Sequence, residues 1–210
     1  MKKLQIALDV FSTEAALEIL DVVADYVDII ELGTPLMISE GAHVIKAVKE
    51  KYPSKIVFAD IKVMDGGSIM ANIVFDAGAD MVSVLAVADD ATLLGVIGTA
   101  KEHGRKVLVD MCNVSDMTGR AKEIEKMNPD YICVHVGYDI QATGVDPIEE
   151  LKKISGVSIP KAMAGGIKIT NFENAVKSPA EVVIVGGGLY GQPNMKGIAV
   201  QMHEIINKYN

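Results

Sequence analysis

Apolar runs rich in β-branched residues recur along the whole chain, and their even spacing limits the possible folds more than any other feature. There are eight such runs, roughly 23 to 28 residues apart, a period that suits one strand followed by one helix. The runs are continuous rather than alternating, which is typical of parallel strands covered on both faces. They are Leu4–Leu8, Ile29–Leu32, Ile56–Ile61, Met81–Leu85, Val107–Val109, Tyr131–Val134, Ile159–Ala164 and Val182–Val185.

The segments between these runs carry helical spacing and helix start and stop signals. One apolar stripe extends from Ala15 to Val23, and a helix between Asp89 or Asp90 and Gly104 is predicted by its stripe and its flanking residues. Asp146-Pro147 predicts a cap followed by a first-turn proline, and the stretch from Thr170 to Glu173 matches a capping box.

Eight strand–helix units without a linker-like stretch predict an α/β fold, a (β/α)8 TIM barrel that forms a single domain over residues 1–210. An open doubly wound sheet is the alternative. That fold would favour a glycine-rich turn after the first strand, whereas Asp9-Val-Phe-Ser12 stands there.

Composition excludes several classes of partner. The net charge of -8 argues against binding to nucleic acid or to an anionic membrane surface, although one small anionic ligand stays compatible with it. The N-terminal stretch MKKLQIALDV has an apolar segment that is too short for a signal peptide, and no apolar run in the chain is long enough to span a bilayer. Cys112 and Cys133 lie in or beside apolar runs, so we expect buried reduced thiols in a cytoplasmic protein.

Polar residues stand where five of the predicted strands end. Active sites of (β/α)8 barrels lie at this end of the strands, and an unpaired charge is costly to bury. Five strand ends of this kind therefore indicate one shared site. We call the six residues the rim cluster: Asp9, Glu31, Asp60, Lys62, Asp110 and His135.

Each member of the rim cluster also has a structural interpretation when it is taken alone. Asp9 would cap the first helix, and Glu31 would be an ordinary loop carboxylate. Asp60 and Lys62 would form a structural ion pair, because residues two apart on a strand project to the same side. Asp110 would pair with a surface lysine, and His135 would be a core histidine. Convergence on one rim favours the functional interpretation for all of them.

Glycine-rich stretches follow the last two predicted strands and form a second cluster of candidate site residues. Gly165-Gly166 follows the seventh strand, and Gly186, Gly187 and Gly188 follow the eighth. Backbone N–H groups in such loops hold phosphate, and (β/α)8 barrels frequently bind phosphate at these two loops. The alternative is a pair of tight turns that need positive φ angles.

The spacing Asp60-x-Lys62-x-x-Asp65, with Asp9 and Glu31 before it and His135 after it, resembles the orotidine 5'-monophosphate decarboxylase suprafamily. Within it, five stretches resemble the 3-hexulose-6-phosphate synthase family: "LQIALDV", "IIELGTPLMISEG", "VLVDMCNV", "YICVHVGYDIQATG" and "AGGI…VIVGGG". The resemblance covers nearly the whole chain. It implies an aldehyde-lyase that condenses formaldehyde with D-ribulose 5-phosphate to D-arabino-hex-3-ulose 6-phosphate through an enediolate stabilised by Mg²⁺.

The resemblance also implies roles for residues. Glu31 and Asp60 would hold Mg²⁺, with Mn²⁺ as the alternative, and the enzyme would belong to the ribulose monophosphate pathway of formaldehyde fixation. Lys62 would remain protonated and stabilise negative charge, and His135 is the candidate base, with Lys62 next in line. Asp9 and Asp110 would orient substrate hydroxyls. The glycines would hold the phosphate through backbone donors.

Asp65 has a separate role by resemblance, since the second aspartate of the motif reaches the neighbouring subunit's site in this suprafamily. A homodimer with shared active sites is therefore implied. The alternative is that Asp65 caps the helix that begins near Gly66-Gly67.

The sister family, 3-keto-L-gulonate-6-phosphate decarboxylase, is the alternative activity, and a non-catalytic sugar-phosphate-binding dimer is a third. The decarboxylases would be expected to carry arginine at the position of Tyr138, glutamate at Asp110 and arginine at Gly188. This chain differs from that expectation at all three positions, and each difference favours the synthase.

Overall fold

The computed structural model describes residues 1–210 and contains eight parallel strands that close into a barrel in sequence order. Pairing of β1 with β8, where Gln5 lies opposite Ile184, closes the sheet. The predicted (β/α)8 barrel is confirmed, and the open doubly wound sheet is wrong. The strands are β1 (Lys3–Leu8), β2 (Ile29–Leu32), β3 (Ile56–Val63), β4 (Met81–Leu85), β5 (Lys106–Asp110), β6 (Tyr131–His135), β7 (Lys161–Ala164) and β8 (Val182–Val185).

The helices alternate with the strands and cover the outside of the barrel. No helix is both long enough and apolar enough to cross a membrane. Two 3-10 helices, at Ala24–Tyr26 and Tyr138–Thr143, accompany the α-helices. The α-helices are α1 (Thr13–Val23), α2 (Thr34–Glu40), α3 (His43–Lys51), α4 (Gly67–Asp76), α5 (Asp90–His103), α6 (Met117–Met127), α7 (Pro147–Lys152), α8 (Ile169–Lys177), α9 (Gly187–Tyr190) and α10 (Met195–Lys208).

Several predicted helix signals are confirmed. Helix α5 begins directly after Asp89 and ends at Gly104, whose φ of 63° gives the left-handed conformation that terminates helices. Asp146 caps α7, because its side chain accepts a hydrogen bond from the backbone N–H of Ile148 at 2.9 Å, and Pro147 follows in the first turn.

The alternative interpretation of Asp9 as a helix cap is wrong, and so is the predicted capping box. Asp9 does not cap α1, because Ser12 stands closer to the helix and accepts from the backbone N–H of Ala15. The capping box at Thr170 is also displaced. Helix α8 already begins at Ile169, and Asn171 accepts from the backbone N–H of Lys168 at 2.7 Å.

A small core inside the barrel lies directly beneath the C-terminal ends of the strands. Ile29, Phe58, Met81 and Leu108 belong to it and project toward the barrel axis. Side chains alternate along a strand, so the residues two positions further along also face inward, one layer higher. That layer consists of the buried polar residues Glu31, Asp60, Ser83 and Asp110.

Strand β3 departs from regular geometry where it enters this polar layer. Its pairing with β4 shifts register between Ala59 and Val63, and Lys62 has a φ of 46°. A left-handed conformation is uncommon for a residue with a side chain and has a cost in free energy. The bulge thus aims Lys62 at the barrel mouth by a local distortion rather than by regular strand alternation.

Candidate active site

Four members of the rim cluster form one continuous chain of charged contacts across the barrel mouth. The Lys62 ammonium donates to Asp60 Oδ2 at 2.5 Å and lies 3.5 Å from Asp110 Oδ2. The same Asp110 oxygen lies 2.8 Å from His135 Nδ1. The predicted convergence of Asp60, Lys62, Asp110 and His135 is therefore confirmed, and Asp110 pairs with these groups rather than with a surface lysine.

Hydrogen bonds from β4 and α2 hold the strained end of β3. The backbone N–H of Lys62 donates to Ser83 Oγ at 2.8 Å, and Ser83 Oγ donates to Asp60 Oδ1 at 2.7 Å. Thr34 Oγ1 lies 3.0 Å from Asp60 Oδ2 and donates to the Asp60 carbonyl at 2.8 Å. These contacts fix the Asp60 carboxylate and compensate the unusual backbone of Lys62.

Ser83, Thr34 and Gln5 are site residues that sequence reasoning missed. Ser83 is the one polar residue in the strand MVSVL, and Gln5 is the one polar residue within the run LQIAL. A polar residue inside an otherwise apolar strand is a signal that could have found both. Thr34 opens α2 after Gly33 and carries no comparable signal.

Glu31 is held from inside the barrel by a fully buried amide. Gln5 Nε2 donates to Glu31 Oε2 at 2.6 Å, while Gln5 Oε1 is buried and has no hydrogen-bond partner. Burial, and then the nearby Asp60 carboxylate, raise the pKa of Glu31 well above its usual range. Glu31 is thus a strongly constrained inner carboxyl group rather than a loop carboxylate.

Mutual electrostatics set the charges of the other members. Burial alone would lower the pKa of Lys62, but Asp60, Asp110 and Glu31 outweigh it and raise that pKa. Burial alone would raise the pKa of Asp110, but the hydrogen bond to His135 and the Lys62 ammonium lower it. Lys62 is therefore an ammonium and Asp110 a carboxylate at neutral pH.

His135 responds to the same partners. Burial alone would lower the pKa of its imidazole, but the hydrogen bond to Asp110 and the charge of that carboxylate raise it. When the ring is neutral, Nδ1–H donates to Asp110, which leaves Nε2 as the acceptor. Asp110 thus selects the tautomer that a base needs, and the core-histidine interpretation fails because the ring is part of a charged cluster.

Asp9 stands apart from this chain of charged contacts, although it lies at the same mouth. Burial of part of its carboxyl group and the charge of Asp60 raise its pKa. A Cβ atom added at Gly33 would lie 2.1 Å from Asp9 Oδ1, so the glycine leaves the space that this carboxyl group occupies. The structure therefore places Asp9 beside the cluster, with solvent access for a ligand.

The glycine loops after β7 and β8 have clear steric causes. Gly165 and Gly166 have φ values of 104° and 67°. A Cβ atom at Gly165 would lie 2.3 Å from the Val136 carbonyl, and one at Gly188 would lie 2.1 Å from the Ile167 carbonyl. The tight-turn alternative thus explains Gly165 and Gly166, whereas Gly188 lies in α9 without a positive φ and is explained by its close approach to the Ile167 carbonyl. Gly187 has no neighbour within 4 Å of its added Cβ and begins α9.

Asp65 is exposed and does not join the rim cluster of its own chain. Its Oδ1 accepts a hydrogen bond from the backbone N–H of Gly66 at 2.7 Å. Gly66 is the residue before α4, and no side chain caps that helix. The alternative that Asp65 caps α4 is wrong.

Cys112 differs from its predicted environment. Cys133 is buried inside the barrel as expected, but Cys112 is partly exposed, because it follows the end of β5 at the mouth. The ligand atoms of Asp110, Cys112 and His135 lie within 4.8 Å of one another. The sequence analysis predicted a buried thiol here and not a site residue, although the position of Cys112 two residues after Asp110 was a usable signal.

The predicted Mg²⁺ ligands fit a hard cation by their chemistry. Glu31 and Asp60 are buried carboxyl groups, and Asp60 raises the pKa of Glu31, so a cation between them would relieve like-charge repulsion. The unpartnered Gln5 Oε1 adds another oxygen to the same interior. Mg²⁺ prefers oxygen ligands of this kind.

A (β/α)8 barrel that gathers carboxylates, an ammonium and an imidazole at the C-terminal ends of its strands has the architecture of a barrel enzyme. Residues 2–202 match the orotidine 5'-phosphate decarboxylase / HUMPS family. The chain belongs to this family and is an enzyme.

Relatives within the family are similar over nearly their full length. The 3-hexulose-6-phosphate synthase of Mycobacterium gastri is 44% identical and is matched over 97% of this chain and 99% of its own. The crystal structure of 3-hexulose-6-phosphate synthase from Salmonella typhimurium is 41% identical and has a TM-score of 0.96, with 99% of this chain and 100% of that chain covered. A 3-keto-L-gulonate-6-phosphate decarboxylase from Vibrio cholerae is 27% identical with a TM-score of 0.88, over 100% and 99% of the two chains.

We predict that Asp110→Asn lowers the pKa of His135, because an amide cannot supply the negative charge that raises it. An NMR titration of the imidazole protons between about pH 5 and pH 9 measures this. Since the folded pKa of His135 is raised, the ion pair stabilises the wild type fully below the unfolded pKa, and this stabilisation is lost as the pH rises through the folded pKa.

Asp76→Asn is the matched control for this titration. It removes the same charge from an exposed position at the far end of α4 and should leave the pKa of His135 unchanged. An equal pKa of His135 in Asp110→Asn and the wild type would contradict the role of Asp110.

Proposed function

We propose that this enzyme condenses formaldehyde with D-ribulose 5-phosphate to give D-arabino-hex-3-ulose 6-phosphate. The observation that carries the proposal is the chain of ion pairs and hydrogen bonds Asp60–Lys62–Asp110–His135, in a protein whose near-full-length relatives are synthases. The reaction needs a base beside a carbon acid and a positive environment for the resulting anion, and this chain supplies both.

His135 is the proposed base for the C1 proton of the ketose. Asp110 holds the ring through Nδ1 at 2.8 Å, so Nε2 carries the free lone pair. A proton taken by Nε2 gives an imidazolium ion, which the Asp110 carboxylate stabilises. The C1 carbon then attacks formaldehyde, and the proton can return to the new alkoxide.

Lys62 stabilises the anion that forms on the substrate. Its raised pKa keeps it charged, and its contacts with Asp60 and Asp110 hold the ammonium in place before the reaction begins. A preorganised cation of this kind needs little rearrangement during proton removal. Asp9, at the mouth, is placed to accept hydrogen bonds from substrate hydroxyl groups.

Mg²⁺, or Mn²⁺, would be held by Glu31 and Asp60 and would supply positive charge to the oxygens of the enediolate. Gln5 holds Glu31 by the hydrogen bond at 2.6 Å, and Ser83 and Thr34 hold Asp60. These contacts keep both carboxyl groups aimed at the mouth.

The phosphate group of the substrate is proposed to lie at the loops that contain Gly165, Gly166, Gly187 and Gly188. Backbone N–H groups are the proposed donors there. A side chain at Gly188 would overlap the Ile167 carbonyl. The same overlap leaves no room for the arginine expected in the decarboxylase family. This steric exclusion favours the synthase over the decarboxylation of 3-keto-L-gulonate 6-phosphate.

The active form is proposed to be a homodimer in which Asp65 serves the partner's site. Asp65 is exposed next to an apolar surface formed by Met64, Ile69 and Ile73, each at least half exposed. Leu94 on α5 extends this surface, because α4 and α5 touch where Ser68 Oγ donates to the Gly95 carbonyl. Exposed apolar area of this kind is typical of an interface between subunits.

We place the enzyme in the cytoplasm and in the ribulose monophosphate pathway of formaldehyde fixation. Both of its cysteines are free thiols, which suits a reducing compartment.

An assay of the purified protein on two substrates tests the activity. We expect turnover of ribulose 5-phosphate with formaldehyde and little decarboxylation of 3-keto-L-gulonate 6-phosphate. Preferred decarboxylation would identify the sister activity, and binding of sugar phosphate without turnover of either substrate would identify a non-catalytic binding protein.

The metal role predicts that a chelator abolishes activity and that added Mg²⁺ restores it. Asp60→Asn should raise the Mg²⁺ concentration for half-maximal activity by about tenfold or more, since a charged ligand is lost. A Mg²⁺ titration of activity measures this, with Asp76→Asn as the control. Full activity of Asp60→Asn in excess chelator would reject the metal role.

Shared sites predict complementation between two inactive variants. In a mixture of Asp65→Asn and His135→Asn chains, half of the dimers are mixed, and each mixed dimer has one site with both residues intact. Activity should therefore recover to about a quarter of the wild-type value after co-refolding. No recovery, despite mixed dimers seen by native mass spectrometry, would show that Asp65 serves its own chain, and full activity of Asp65→Asn alone would show that it serves no site.

A further inference from the structure

We infer that Asp110, Cys112 and His135 form a binding site for a thiophilic divalent cation of the zinc class. This site is distinct from the oxygen-only pair Glu31 and Asp60. Binding of the ion does not depend on the proposed reaction, whereas its inhibitory consequence rests on the proposed role of His135.

The three side chains present one ligand atom each to a common space. A carboxylate oxygen of Asp110, the Cys112 sulfur and a ring nitrogen of His135 all lie within 4.8 Å of one another. A tetrahedral zinc ion with bonds of about 2.0–2.3 Å holds its ligands about 3.5 Å apart. Side-chain rotation of about 1 Å therefore suffices to reach that geometry.

Local backbone structure holds the thiol on the His135 side of the loop. The backbone N–H of Cys112 donates to Asp110 Oδ1 at 2.9 Å, and Asn113 follows with a φ of 63°. On the other side, an added Cβ at Gly137 would lie 3.3 Å from Cys112 Sγ. The sulfur is thus confined between the end of β5 and the loop after β6.

The donor set selects the kind of ion. One thiolate, one imidazole and one carboxylate suit zinc, which is borderline soft, and leave a fourth position open for water. Mg²⁺ prefers oxygen ligands alone and gains little from sulfur. A bound zinc ion removes the proton from the thiol, so the neutral cysteine of the free protein does not prevent binding.

Lys62 is the group that opposes a second cation. Its ammonium lies 3.5 Å from Asp110 Oδ2, but Asp60 holds it more closely, at 2.5 Å. The Asp110 carboxylate and the thiolate that zinc binding creates at Cys112 carry two negative charges against this one positive charge. The site therefore has a net negative charge that favours zinc. With only three protein ligands and a nearby ammonium, we expect an affinity below that of a closed structural zinc site.

The consequence for catalysis follows from the shared ligands. A zinc ion bound to His135 and Asp110 occupies the base and the carboxylate that orients it. Excess Mg²⁺ would not relieve this block, because Mg²⁺ binds elsewhere. The proposed site makes the enzyme sensitive to thiophilic metals through Cys112.

Zinc binding to the substrate-free protein tests the site directly. Competition with a fluorescent zinc indicator should show one ion per chain in the wild type and a roughly tenfold or greater loss of affinity in Cys112→Ser. Cys133→Ala, which removes the other thiol of the barrel, and Glu31→Gln, which alters the proposed Mg²⁺ pair, should both keep wild-type zinc affinity. Circular dichroism checks the fold of each variant, and Cys112→Ala replaces Cys112→Ser if the serine variant is unfolded.

Two results would overturn the site. One is wild-type zinc affinity in a folded Cys112 variant, and the other is loss of zinc affinity in Glu31→Gln alone, which would place zinc at the oxygen pair. If the protein turns over substrate, zinc should inhibit the wild type at saturating Mg²⁺ and inhibit the Cys112 variant much less. Because the binding measurement uses no substrate, failure of the synthase proposal leaves this test intact.

Discussion

The ion pairs of the half-buried Lys62 ammonium with Asp60 and Asp110 are the interactions on which the rest of the site depends. The mouth of the barrel brings several carboxyl groups together, and like charges in a partly buried space repel each other strongly. The Lys62 ammonium reduces this repulsion, because it lies 2.5 Å from Asp60 Oδ2 and 3.5 Å from Asp110 Oδ2. The chain accepts a left-handed backbone at Lys62 to place the cation there, and Ser83 holds that backbone. The attraction between Lys62 and the two carboxylates thus explains the strained backbone at Lys62, which packing alone would not favour.

Alternation along the strands links the fold to the site. The apolar residues that fill the barrel, such as Phe58 and Leu108, stand two positions before the carboxylates of Asp60 and Asp110 on the same strands. Packing of the lower layer therefore fixes the height and direction of the polar layer above it. This is why a chain with ordinary barrel patterning can hold charged groups in contact across three strands.

Sequence patterns were sufficient to predict the fold and the members of the rim cluster. They were insufficient to predict the residues that hold those members in place, which are Ser83, Thr34 and Gln5. Strand-end position located Asp60, Asp110 and His135, because eight repeated units define one rim. The alternative interpretations of Asp9 and Asp65 as helix caps are wrong, because the capping position is taken by Ser12 in α1 and by Gly66 in α4. The contact of Thr34 with Asp60 depends on how the chain crosses the mouth after β2, and spacing along the chain carries no such information.

Alternation in the polar layer also limits how this protein can change over generations. Deleting or inserting a single residue in β2 or β5 would turn Glu31 or Asp110 outward and bring Ile30 or Val109 inward. A carboxylate would then be buried among the surrounding helices, at a cost comparable to much of the stability of a domain. Chains with such insertions or deletions therefore fail to fold, whatever the effect of the change on catalysis. New substrate preferences in this lineage must arise by point substitution, or in the connections beyond the strand tips.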